Sequence, residues 1–133
     1  MKILMLDAAC TSLPYDHSLC EALVNEGCTV DFFGSEYVHT KWNKNPSYNF
    51  ISHFYRFTHW LYRGKARGLF RQYVKTIEHV FNMFHLVRLV KKHNPDIIHF
   101  QWSQLPFIDQ RFLTKLKKAA PLVYTIHNST PLH

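Results

Sequence analysis

Cysteine is scarce in this 133-residue chain. The three present, Cys10, Cys20 and Cys28, fit no CxxC metal or redox spacing, which favours reduced thiols over a disulfide framework. Glycine occurs only 4 times, so collagen-like and low-complexity scaffolds are excluded. Long apolar runs are missing as well. No window approaches the roughly 20 residues that span a bilayer. The opening Ile3-Leu4-Met5-Leu6 is broken by Asp7, short of the roughly 7–15 apolar residues of a secretion signal. A cytoplasmic placement is therefore expected. Acidic residues are nearly absent from one stretch: from Tyr37 to Pro95 eleven basic residues face a single acid, Glu78, giving +10. The remainder has five basic and eight acidic residues, hence −3, and the two parts make the net +7. One part of an otherwise mildly acidic domain is built to meet negative charge.

What is present is a globular pattern. Hydrophobic residues make up 47% and aromatics 16%, which excludes intrinsic disorder, and the length suits one domain. Ile3–Leu6 reads as a strand buried on both faces. After a polar loop from Asp7 to Tyr15, the spacing of Leu19, Cys20, Leu23 and Val24 predicts a helix, with Ser18 and Glu21 as a capping box and Gly27 at its end. Thr29–Phe33 is the next strand, stopped by Gly34. Ile97–Phe100, a helix over Phe107–Ala119 and a strand over Leu122–Ile126 repeat the alternation. The fold class predicted is α/β: a Rossmann-like three-layer sandwich with a mostly parallel sheet of order 3-2-1-4-5.

Between the two halves, Tyr48–Tyr62 is crowded with aromatics and predicts a short strand near Ile51–Arg56. After Gly64, an apolar face of Ala66, Phe70, Tyr73, Val74, Ile77, Val80, Phe81, Phe84, Val87 and Val90 predicts a long amphipathic helix. Its opposite face carries Arg67, Arg71, Lys75, Glu78, Asn82, His85 and Lys92.

In such a sheet, ligands sit outside the carboxyl ends of the strands where strand order reverses. The loops 7–15, 101–106 and 127–130 would flank that crevice. They bring Thr11, Ser12, Gln101, Ser103, Gln104, Asn128, Ser129 and Thr130 as hydrogen-bonding groups, Trp102 as a planar face and His127 as a titratable one. Hydroxyls, amides and an aromatic plane suit a sugar or another polyol, although the same residues also form ordinary turns.

Four fragments, in order across the chain, carry a resemblance. They are Met1-Lys2-Ile3-Leu4, then Leu19-x-x-Ala22-Leu23-x-x-x-Gly27-x-x-Val30, then Asn94-Pro95-Asp96-Ile97-Ile98-His99, and finally Val123-Tyr124-Thr125-Ile126-His127-Asn128. Together they resemble the N-terminal, acceptor-side domain of a GT-B-fold glycosyltransferase of the retaining family four. The resemblance implies transfer of a sugar, with retention, from a nucleotide-sugar to a glycan or lipid-linked acceptor, as in polysaccharide biosynthesis. It also implies that His127 faces the transferred sugar, with the nucleotide-sugar a co-substrate and no cofactor or metal expected. Residues 1–133 would then be a single, incomplete domain lacking the donor-binding C-terminal domain, and inactive alone. The family's Gly-Gly pair in the first loop is replaced by Ala8-Ala9, and its paired-glutamate motif is absent.

For residues 37–95 three readings compete. One is a packing helix with a solvated charged face. Another is an anionic membrane surface met by Arg63, Lys65, Arg67, Arg71 and Lys75, making the protein peripheral on the inner face of the membrane. The third, nucleic acid, is disfavoured because no recognition motif accompanies the charge. His99, mid-strand, reads as packed, and Cys10 as a plain thiol. A non-catalytic flavodoxin-like module binding a small ligand or partner protein is the alternative to the enzyme.

Overall fold

Five short apolar runs become five parallel strands in the computed structural model, which describes residues 1–36, 45–62 and 68–127. They are β1 (Lys2–Leu6), β2 (Thr29–Gly34), β3 (Asn49–Ser52), β4 (Ile97–Phe100) and β5 (Leu122–Tyr124). Every neighbouring pair is parallel and the order is β3-β2-β1-β4-β5, as expected from the sequence. The order reverses between β1 and β4, where Ile3 is in register with Ile97 and Leu6 with Phe100.

Side chains along a strand alternate between the two faces of the sheet, and here each face has its own core. Ile3, Met5, Val30 and Phe32 pack with Leu13 and Cys20 of α1 (Leu13–Asn25) and with Tyr48. Leu4, Leu6, Phe33, Ile98 and Phe100 pack with Met83, Leu86 and Val90 of α3 (Leu69–His93) and with Phe112 and Leu116 of α4 (Pro106–Leu116). The short α2 (Arg56–Tyr62) leads into α3, and its first amides are held by that helix: Phe57 N and Thr58 N each donate to the Glu78 carboxylate at 2.8 Å. The result is a three-layer α/β/α sandwich.

Three local expectations need correction. First, α1 begins at Leu13, not near Ser18, because Pro14 sits in its first turn, where a missing N–H costs nothing. The Ser18–Glu21 capping box therefore does not form. Ser18 Oγ donates to the Pro14 carbonyl at 2.9 Å, while Glu21 accepts from Ser47 N at 2.9 Å. Gly27, with φ +82°, does lie just past the helix end, in the left-handed region. Second, β3 is Asn49–Ser52 and Arg56 already starts α2.

Third, α3 turns inward only the Val80, Val87 and Val90 edge of the expected apolar face, together with His79, Met83 and Leu86. It buries His79, Met83, Leu86 and Val90, four, three and four residues apart. Phe70, Tyr73, Ile77 and Phe81 of the predicted apolar face stay exposed, Phe81 at 69% against 0% for Met83. His79 can occupy the core because both ring nitrogens find partners there. No helix among the described residues is long and apolar enough to cross a membrane.

Candidate active-site crevice

The loops after β1, β4 and β5 meet at the carboxyl edge of the sheet, on either side of the order reversal. Trp102 Nε1 donates to Ser12 Oγ at 2.6 Å, and Gln104 Nε2 donates to Thr11 Oγ1 at 3.2 Å. His127 Nε2 lies 3.1 Å from Gln101 Oε1. The imidazole stacks on the Trp102 ring, centroids 4.6 Å apart and planes within 1°, while Tyr15 meets it edge-on at 5.3 Å. Thr11, Ser12, Gln101, Trp102 and His127 are thus one constellation. Ser103 differs, because its hydroxyl donates to Asp109 Oδ2 at 2.8 Å, which also accepts Leu105 N at 3.0 Å at the start of α4. Asn128, Ser129 and Thr130 lie outside the described residues.

Gln101 is fully buried, so its part is to hold His127. Its Nε2 faces Met5 Sδ at 3.2 Å and His99 Nε2 at 3.3 Å, and His99 Nε2 is also 2.7 Å from Thr125 Oγ1. Burial, reinforced by nearby His127, lowers the His99 pKa. Gln101 turns its amide nitrogen toward His99 and its carbonyl oxygen toward His127, so the carbonyl accepts from His127 Nε2–H.

Under the first loop lie two buried carboxyls, Asp7 and Asp16. Asp7 Oδ2 accepts Ser12 N at 3.2 Å and so shapes the loop. Burial, and then the adjoining Asp7, raise the Asp16 pKa to about 8. Asp16 is consequently protonated at neutral pH. Cys10, at φ +52°, is buried beside them. Burial pushes its thiol up to about 12, which leaves it an unreactive thiol. The loop closes so tightly that a Cβ on Gly34 would stand 2.7 Å from Cys10 Sγ and 3.1 Å from the Phe50 ring.

The family model for Glycosyltransferase Family 4 matches residues 15–133. The chain belongs to Glycosyltransferase Family 4. Its fold is that of the N-terminal domain of GT-B glycosyltransferases, and three solved structures share it. The calicheamicin glycosyltransferase CalG4 aligns with TM-score 0.59 and 11% identity over 92% of this chain and 31% of its own. MurG of Acinetobacter baumannii gives 0.57 and 13%, over 98% and 43%. A glycosyltransferase of Rickettsia africae ESF-5 gives 0.58 and 16%, over 99% and 31%. The family 4 chain thus spans under half the length of these structures. No curated protein matches it.

Two features of this family 4 domain escaped the sequence reading. One is a buried relay: Tyr55 Oη is 2.8 Å from His79 Nδ1, and His79 Nε2 is 2.7 Å from Asp109 Oδ1. Although burial alone would raise the Asp109 pKa, the hydrogen bonds from His79, Leu105 N and Ser103 outweigh it and lower the value. Asp109 is therefore a carboxylate accepting from His79 Nε2–H, and the other ring nitrogen of His79 is bonded to the Tyr55 hydroxyl. The other is the setting of Lys75, a residue expected at a membrane surface, whose Nζ sits 4.3 Å from the Tyr55 ring centroid. Of the residues expected to face a membrane, Arg63, Lys65 and Arg67 lie outside the described residues. Arg71 and Lys75 line a hollow beside Tyr55. Among the described residues no group of three or more His, Cys, Asp and Glu side chains is disposed to hold a metal ion.

Proposed function

We propose that this domain is the acceptor half of a retaining glycosyltransferase, which moves a sugar from a nucleotide-sugar to a glycan or lipid-linked acceptor. The observation that carries the reading is the His127–Trp102–Ser12–Gln101 constellation at the point where strand order reverses. His127, oriented through Gln101, accepts a hydrogen bond from a sugar hydroxyl at Nδ1. Trp102 and Tyr15 supply apolar faces of the kind that pack against sugar rings. No metal or organic cofactor is expected to take part, as the family resemblance implies.

Nucleotide-sugar binding falls to a second Rossmann-like domain, so residues 1–133 alone are expected not to turn over. The protein works in the cytoplasm. The exposed row Phe70, Tyr73, Ile77 and Phe81, ending in Arg88, Lys91 and Lys92, supports contact with the inner face of an anionic membrane.

A donor-and-acceptor screen on the full-length gene product, run beside His127→Ala, tests the assignment. Sugar transfer by the wild type and its loss in the variant are expected. Failure of every nucleotide-sugar, with a small ligand or protein still binding the crevice, would favour a non-catalytic module.

A further inference from the structure

Residues 101–105, between β4 and α4, carry much of the crevice, and one buried carboxylate holds them. Gln101 N donates to the Leu6 carbonyl of β1 at 2.8 Å, which ties the start of the loop to the sheet. Further along, Ser103 Oγ and Leu105 N both donate to Asp109 Oδ2, at 2.8 and 3.0 Å. Asp109 stands in the first turn of α4 and is fully buried. Ser103 and Leu105 are thereby drawn inward. Trp102 and Gln104, which alternate with them, reach across instead to Ser12 at 2.6 Å and to Thr11 at 3.2 Å.

The carboxylate is itself braced. Its other oxygen, Oδ1, is 2.7 Å from Nε2 of the buried His79 on α3, and Tyr55 Oη is 2.8 Å from the second nitrogen of that ring. Moving Asp109 would therefore break a bond to α3 as well as its bonds to the loop. Leu105, at the start of α4, offers no side-chain acceptor of its own, so the bond from Leu105 N has an ordinary explanation in closing the helix end. The bond from Ser103 has none of that kind. It adds nothing to the helix and acts only on the loop.

We propose that Asp109 is a positioning residue for the transfer site: by holding Ser103 it sets the Trp102 ring, and Trp102 sets the His127 imidazole stacked on it at 4.6 Å. The indole has a single hydrogen-bond donor, and Ser12 takes it. The rest of its orientation comes from the loop backbone, which Asp109 anchors on the next residue. Asp109 itself is too deeply buried to meet substrate. The effect on turnover can still be large, because misplacing a reacting group by about 1 Å can cost about 100-fold. The inference rests on the reading of the crevice as the transfer site and adds to it a residue that acts through Ser103 and Trp102.

The test compares wild type, Ser103→Ala, Ser103→Thr, Asp109→Ala and Asp109→Asn as full-length proteins, with folding checked by circular dichroism. One readout is kcat/KM with the nucleotide-sugar and acceptor that the donor-and-acceptor screen returns. The other is the proton NMR shift of the His127 ring, assigned by its loss in His127→Ala; stacking on the indole moves these protons upfield. Ser103→Ala should lower kcat/KM about tenfold and move the His127 signals downfield, and folded Asp109→Ala should do the same. Ser103→Thr keeps the hydroxyl, and Asp109→Asn keeps a carbonyl oxygen for Ser103 and Leu105. Both should hold the upfield signals and stay within about twofold of wild type. Should Asp109→Ala not fold, Ser103→Ala decides. Unchanged His127 signals or unchanged transfer in Ser103→Ala would overturn the inference, as would threonine and asparagine variants as impaired as the alanine ones. The glycosyltransferase reading fails separately, if the His127 signals depend on Ser103 yet wild type transfers no sugar.

Discussion

His127 lies flat on Trp102, with ring centroids 4.6 Å apart and planes within 1°. The stack ties the end of β5 to the loop after β4, and Trp102 in turn donates to Ser12 in the loop after β1. Three loops that are distant in sequence become one surface through these contacts. Placing them needs only parallel strands and a reversal of order.

Gln101 should act on catalysis without touching substrate. It is fully buried, and its carbonyl holds His127 through Nε2. In the full-length enzyme, Gln101→Leu is expected to lower kcat about tenfold or more with little change in KM, as for a positioning group. A proportional rise in KM would place Gln101 in substrate binding instead.

The Asp16 carboxyl makes stability depend on pH in an unusual direction. Its pKa is near 4 when unfolded and about 8 in the fold. Between those values the folded state holds a proton that the unfolded state has released, so this contribution is complete below pH 4 and is lost as pH rises through 8. The melting temperature of the wild type is expected to fall from pH 5 to pH 9, and Asp16→Asn to flatten that fall. A parallel slope in the variant would show that Asp16 ionises normally.

Asp109 accepts hydrogen bonds from His79, Ser103 and Leu105 N at once. Removing it in Asp109→Ala strands the buried His79 and opens the start of α4. A loss of about 3 kcal/mol in denaturant unfolding is expected. A loss under about 1 kcal/mol would mean that the relay is slack.

The two faces of α3 should respond oppositely to truncation. Met83 is fully buried between sheet and helix, whereas Phe81 is 69% exposed. Met83→Ala should cost about 2–5 kcal/mol, and Phe81→Ser should stay within about 0.5 kcal/mol. Equal losses would show that the exposed row is covered in solution.

These contrasts show where the sequence was legible. Strands emerged because apolar runs such as Ile97–Phe100 stand between punctuating residues such as Pro95-Asp96, and parallel pairing follows from interleaved helices. Strand ends then located Thr11, Ser12, Gln101, Trp102 and His127 together. The start of α1 was missed because Pro14 breaks helices everywhere except in a first turn. The inward face of α3 was read only in part, at Val80, Val87 and Val90, because the helix carries more apolar side chains than actually pack. The four–three–four spacing of His79, Met83, Leu86 and Val90 was the signal available. Nothing local couples Tyr55, His79 and Asp109, or Asp7 and Asp16, since only the tertiary fold brings them within bonding distance.

The most direct test is steady-state sugar transfer by the full-length protein with His127→Ala, using the exposed Glu26→Ala, at the C-terminal end of α1, as control. The account predicts kcat reduced about 100-fold or more in His127→Ala, with unfolding unchanged and the control indistinguishable from wild type. Undiminished kcat in His127→Ala would contradict it.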